Sequence, residues 1–160
     1  MISKKVILLG QFGVGKTSLI RWFVENIFSH DYLTTIGVKV DKKVVNINGT
    51  QLSMIIWDIA GERDMNDIRH AYKVGSHGII YVFDLSRPAT QDQVLSDVTQ
   101  LQQEFPGVPI QVVGNKKDLV EESVIRKLNV RLKALNPIFS SAKTGERVEE
   151  FFMELGTAMI

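Results

Sequence analysis

The chain has 160 residues, 44% hydrophobic and 23% charged, with 19 Lys+Arg against 18 Asp+Glu and no cysteine. That is one domain's worth of chain, long enough to bury roughly 70% of its unfolded surface in one core, and its composition excludes disorder. Near-neutral charge argues against holding nucleic acid or anionic lipid by bulk phosphate attraction. The lack of cysteine excludes a disulfide framework, a thiolate zinc site and a thiol nucleophile. No apolar run approaches the roughly 18 residues of a membrane span, and Met1–Lys5 leads into a strand without the apolar core of a signal peptide. A single cytoplasmic domain over residues 1–160 is the expectation, as a monomer with no nucleic-acid partner.

Taken in chain order, Val6–Leu9 is a short apolar run closed by Gly10, the pattern of a buried parallel strand. Apolar residues at 19, 20, 23, 24 and 27 predict a helix over Lys16–Ile27. Val38, Val40, Val45 and Ile47, then Asn48-Gly49, then Leu52 to Trp57 predict an antiparallel hairpin. The segment Ile59–Gly75 is polar and without period, which inside a compact domain points to function. Gly78–Leu85 reads as a buried strand, and Val94, Val98, Leu101 and Phe105 space out a helix before Pro106-Gly107. A strand over Pro109–Gly114, a helix through Val124, Leu128, Leu132 and Leu135, a short strand Pro137–Phe139 and a helix from Val148 to Met159 complete the chain. Strands alternating with helix-length crossovers predict a three-layer α/β fold. Its sheet has six strands, mostly parallel with one antiparallel hairpin strand, and about five helices accompany it.

Between the first strand and the first helix, Gly10-Gln11-Phe12-Gly13-Val14-Gly15-Lys16-Thr17 fits G-x-x-x-x-G-K-[ST]. Glycines let the backbone of Gly13, Val14 and Gly15 turn successive N–H groups toward phosphate oxygens, and the helix adds its positive end. Lys16 would reach the β and γ phosphates, and the Thr17 hydroxyl is a hard-oxygen ligand for Mg²⁺.

Three later segments choose the nucleotide. Asn115-Lys116-Lys117-Asp118 follows an apolar strand, at the end where open α/β sheets place ligands. The Asp118 carboxylate can accept from N1–H and the exocyclic amine of guanine, whereas adenine presents it with a lone pair. Ser140-Ser141-Ala142-Lys143 follows the last strand, where its backbone could meet the base oxygen and Lys143 could flank the ring. In Trp57-Asp58-Ile59-Ala60-Gly61, Asp58 suits Mg²⁺, and the Gly61 N–H can approach a γ-phosphate.

These four motifs in this order resemble the Ras superfamily of small GTPases, and within it the Rab branch. Thr34–Val38, Ile56–Gly61 and His77–Ile80 carry the Rab likeness, which runs from residue 4 to 158. The resemblance implies a Ras-like P-loop NTPase fold binding GTP or GDP with Mg²⁺. It implies that Thr35 ligates Mg²⁺ and senses the γ-phosphate, that Phe28 stacks edge-on against guanine, that the Lys116 stem covers the base, and that Ser18 meets the α-phosphate. It makes residues near 29–40 and 60–75 the surfaces that meet effectors, exchange factors and activating proteins.

The departures matter equally. Glu62 stands where the family has a water-orienting glutamine, with the spacing to Gly75 unchanged. Phe12 replaces a small residue beside the γ-phosphate, and Val40 replaces an effector-facing phenylalanine, while Trp57 and Tyr72 remain. The chain carries no C-terminal cysteine for prenylation and Ile2 excludes N-myristoylation, so membrane association is expected only through a missing tail or a partner. His30, His70 and His77 share no ligand spacing, and Asp92 and Asp97 read as a solvated helix face.

The leading reading is a Rab-like GTP/GDP switch with slow hydrolysis, in which Lys16, Thr35, Gly61 and Glu62 are the catalytic set. One rival is an inert pseudo-GTPase that acts as a guanine-nucleotide-bound interaction module. Another, a P-loop kinase or ATPase, lacks an arginine-rich lid and conflicts with Asp118.

Overall fold

Side-chain parity in β1 (Ile2–Leu9) sets up the three layers. Its last four residues are fully buried; Val6 and Leu8 join one apolar cluster, Ile7 and Leu9 the other, on opposite faces. The computed structural model describes residues 1–29, 37–60 and 70–160. The same division runs through β4 (Gly78–Asp84), where Ile80 and Val82 face one way and Ile79, Tyr81 and Phe83 the other.

The first cluster is covered by α1 (Lys16–Glu25) and α6 (Val148–Met159), where the rings of Phe23 and Phe152 stack with centroids 4.0 Å apart. The second is covered by α4 (Val94–Glu104) and α5 (Glu122–Arg131). The expected three-layer α/β architecture is the one observed.

β2 (Val38–Ile47) and β3 (Thr50–Ile59) pair antiparallel as predicted. Asn48 and Gly49 both have positive φ, 51° and 86°, the conformation a two-residue primed turn demands, and Asn46 Oδ1 accepts from the Gly49 N–H at 2.9 Å. With β5 (Ile110–Asn115) and β6 (Ile138–Phe139) the sheet has order β2-β3-β1-β4-β5-β6, every other pair being parallel. The carboxyl ends of β1, β3, β4, β5 and β6 therefore open on one edge.

Several boundaries moved. α1 stops at Glu25 because Asn26 turns left-handed (φ 56°) and its N–H caps the Trp22 carbonyl. Leu132 and Leu135 fall beyond α5, Leu132 as the cap between it and a 3₁₀ turn at Lys133–Leu135 that carries Leu135. Six helices are described, α2 (His70–Lys73) and α3 (Pro88–Asp92) being short; α3 is separate because the helix breaks at Gln93. Asp97 is not merely solvated: it accepts from the buried Tyr81 hydroxyl at 2.5 Å. Among the described residues no helix is long and apolar enough to cross a membrane.

Candidate functional site

The loop after β1 carries left-handed glycines at Gly13 (φ 77°) and Gly15 (φ 99°), so its peptides turn inward rather than continuing a strand. Gly15 is also sterically required, since a Cβ there would lie 2.2 Å from the Asn115 side-chain nitrogen. Val14 points the other way, fully buried in the α1/α6 cluster. The loop is thus anchored by one apolar side chain while its backbone faces the edge of the sheet.

Lys16 opens α1 with only 6% of its surface exposed. Its ammonium donates to the carbonyls of Gly10 at 2.9 Å and Gln11 at 3.2 Å. Burial pushes its pKa down to about 8, nearby Arg87 adding to that effect and Asp58 opposing it. Beside it the Thr17 hydroxyl donates to Asp58 Oδ2 at 2.6 Å, and Asp58, near the end of β3, is 1% exposed. A hydroxyl and a buried carboxylate meeting at a turn of glycine backbone is a hard-oxygen set of the kind Mg²⁺ takes, so the residues present fit that ion. Ser18 is half-buried on the next position of α1.

The base-side motifs sit on the neighbouring strand ends. Asn115 closes β5 fully buried and acts as a bolt: its Nδ2 donates to the Val14 carbonyl at 2.9 Å and its Oδ1 accepts from the Ala142 N–H at 3.1 Å. The glycine loop and the Ser141–Lys143 loop, more than a hundred residues apart, are held to one side chain. Ser141 is buried and donates from Oγ to Asp118 Oδ1 at 2.7 Å, leaving Asp118 on the exposed rim. Lys143 is exposed. Lys116 has a left-handed backbone (φ 68°), and its ammonium reaches back to the Gly13 carbonyl at 3.0 Å and to Asp84 Oδ2 at 2.8 Å. Phe28 is partly buried, packed on the α1/α6 cluster.

The structure places Gly13, Val14, Gly15, Lys16, Thr17, Asp58, Asn115, Lys116, Asp118, Ser141 and Ala142 on one edge of the sheet. Thr35, Gly61 and Glu62 lie outside the described residues. Two participants were missed. Asp84 ends β4 completely buried, and burial raises its pKa, but hydrogen bonds from Lys116 and Ser86 and the Lys116 charge outweigh that and hold its carboxyl below the usual range. Arg87 joins Asp84 to the glycine loop. The signal for Asp84 was available: it is an acid at the end of an apolar strand, as Asp58 is.

A sequence profile of the Ras family matches residues 5–160. The Ras-related protein Rab-1 of Theileria annulata is 34% identical over 161 residues, covering 97% of this chain and 73% of its own length. Human Ras-related protein Rab-4B is 32% identical over 161 residues, covering 98% of this chain and 76% of its own. Rab-4 of Dictyostelium discoideum is 36% identical over 157 residues, covering 94% and 76%.

Proposed function

The chain belongs to the Ras family of small GTPases, with Rab-like sequence, and from that premise we propose that it is a Mg²⁺-dependent GTP/GDP switch with slow hydrolysis. The observation that carries this reading is the Asn115 bolt, which brings a phosphate-type loop and a guanine-type loop to the same strand ends.

In this reading the N–H groups of Gly13, Val14 and Gly15 and the Lys16 ammonium bind the phosphates, and Ser18 meets the α-phosphate. Thr17, Thr35 and Asp58 would hold Mg²⁺, which when bound supplies charge neutralisation across the β- and γ-phosphates. Phe28 and the Lys116 stem flank the base, Asp118 accepts from guanine, and Ser141, Ala142 and Lys143 close over it. Lys16, Thr35, Gly61 and Glu62 act at the terminal phosphate, and segments near 29–40 and 60–75 report its presence to effector, exchange-factor and activating proteins. Val40, half exposed, and Trp57, its cross-strand partner in the β2–β3 register, would lie within that surface.

Slow turnover follows from two substitutions. A carboxylate at Glu62 about 5 Å from a γ-phosphate would be repelled by roughly 3 kcal/mol at an effective dielectric near 20. It can accept from an attacking water but, unlike glutamine, cannot donate to the transferring group. Phe12 stands 51% exposed at the mouth of the loop, where its ring would obstruct an arginine supplied by an activator. The same two residues favour the second reading, an inert guanine-nucleotide-bound module. Single-turnover hydrolysis of bound GTP separates them. The switch reading expects slow but measurable cleavage that Phe12→Gly with Glu62→Gln accelerates; no cleavage in either protein supports the inert module. Native cleavage faster than that of the double variant would instead make Glu62 a working catalytic base.

A further inference from the structure

Asp84 is the centre of a closed hydrogen-bonded circuit that the four motifs do not explain. Its Oδ1 accepts from the Ser86 N–H at 2.8 Å and the Ser86 hydroxyl at 2.6 Å. Two cations converge on Oδ2, Lys116 Nζ at 2.8 Å and Arg87 Nε at 3.1 Å. Each cation also grips the glycine loop, at adjacent carbonyls: Arg87 Nη2 donates to Phe12 at 2.7 Å, and Lys116 Nζ to Gly13 at 3.0 Å. The circuit runs Asp84–Arg87–Phe12–Gly13–Lys116 and returns to Asp84.

Arg87 is built to hold still. Its N–H donates to the Asp84 carbonyl at 3.1 Å, its own carbonyl accepts from the Thr90 N–H at 3.0 Å and hydroxyl at 2.8 Å, and Pro88 follows it. A planar guanidinium can address a carboxylate and a carbonyl with two different N–H groups at once, and such charge-assisted bonds are the stronger kind. The consequence for the loop comes from peptide geometry. In a trans peptide the C=O of Phe12 and the N–H of Gly13 share one plane and point in opposite directions, and no cis peptide occurs among the described residues. Fixing the Phe12 carbonyl outward therefore fixes where the Gly13 N–H aims.

We propose that Arg87 is a positioning residue of the phosphate site: it aims the Gly13 N–H and, through the carboxylate it shares with Lys116, couples the phosphate loop to the base segment. The proposal rests on the guanine-nucleotide reading above, but its first test does not. In nucleotide-free protein, Arg87→Ala shifts the Gly13 amide resonance and changes its N–H residual dipolar coupling, because the Phe12–Gly13 peptide plane that Arg87 holds is released. A Gly13 coupling and resonance unchanged from wild type overturn the proposal.

With a fluorescent GDP analogue loaded, Arg87→Ala releases nucleotide about tenfold faster and Arg87→Lys, which cannot span both acceptors, falls between. In a Lys116→Ala background the circuit is already open, so adding Arg87→Ala changes release less than about threefold. Release at the wild-type rate, or an undiminished effect in that background, overturns it. Thermal unfolding checks that each variant folds. If Arg87→Ala does not, Arg87→Lys decides alone: a changed Gly13 coupling supports the assignment, and the wild-type coupling overturns it. A wild-type protein that fails to retain the GDP analogue contradicts the proposed function, while the Gly13 coupling still decides the role of Arg87.

Discussion

Lys16 stands on its own carbonyls at 2.9 and 3.2 Å, buried and depressed to a pKa of about 8, which makes it the most informative single residue to titrate. An anion placed against it would restore the proton that burial removes. Binding of GDP is therefore expected to take up about 0.1 proton at pH 7 and about 0.9 at pH 9, measured by calorimetry in buffers of different ionisation heat. Equal uptake at both pH values would show that Lys16 does not meet the phosphates. In the nucleotide-free protein, the unfolded chain binds the extra proton between pH 8 and 10.5, so stability rises with pH across that window. Lys16 was legible because its motif fixes it. Arg87 was not, because what matters is a bond to Phe12 across 75 residues of sequence, set by where β4 ends beside β1. Asp97 misled for a related reason: its exposed helical spacing conceals a partner, Tyr81, on a strand below.

At the scale of elements, the hairpin was written in two residues, Asn48 and Gly49, whose positive φ values the turn requires. The connection of α2 to the rest of the fold was not. Lys73, 5% exposed, lies 2.9 Å from Glu104 Oε1 and 3.2 Å from Oε2, so the end of the unpatterned segment is clamped to the end of α4. A lysine in a polar run gives no hint of burial, and only the packing of α2 on α4 reveals it. Lys73→Ala would leave Glu104, itself three-quarters covered, without its main cation. The expected cost is about 2 kcal/mol, a fall of roughly 4–8 °C in Tm by calorimetry. Lys73→Met, keeping the apolar stem, should cost less than the alanine variant. Equal Tm values for wild type and Lys73→Ala would mean that the pair contributes nothing.

Over the whole molecule, alternating periods predict parallel strands joined by helical crossovers, and the observed order β2-β3-β1-β4-β5-β6 gathers five strand ends on one edge. That much of the site could be read from spacing alone: Gly10–Thr17, Asp58, Asn115–Asp118 and Ser141–Lys143 each follow a predicted strand. What spacing does not contain is how the ends are braced, through Asn115 between two loops and through Asp84 between two cations. On the proposed reading this edge holds a guanine nucleotide with Mg²⁺. Competition against a bound fluorescent GDP analogue, with Mg²⁺ present and then chelated, decides it. GDP and GTP should displace the analogue at least a hundredfold more effectively than ADP and ATP, because adenine leaves the Asp118 carboxylate unmet, and chelation should speed release. Displacement by ADP as effective as by GDP, or no retention of the analogue at all, would contradict it.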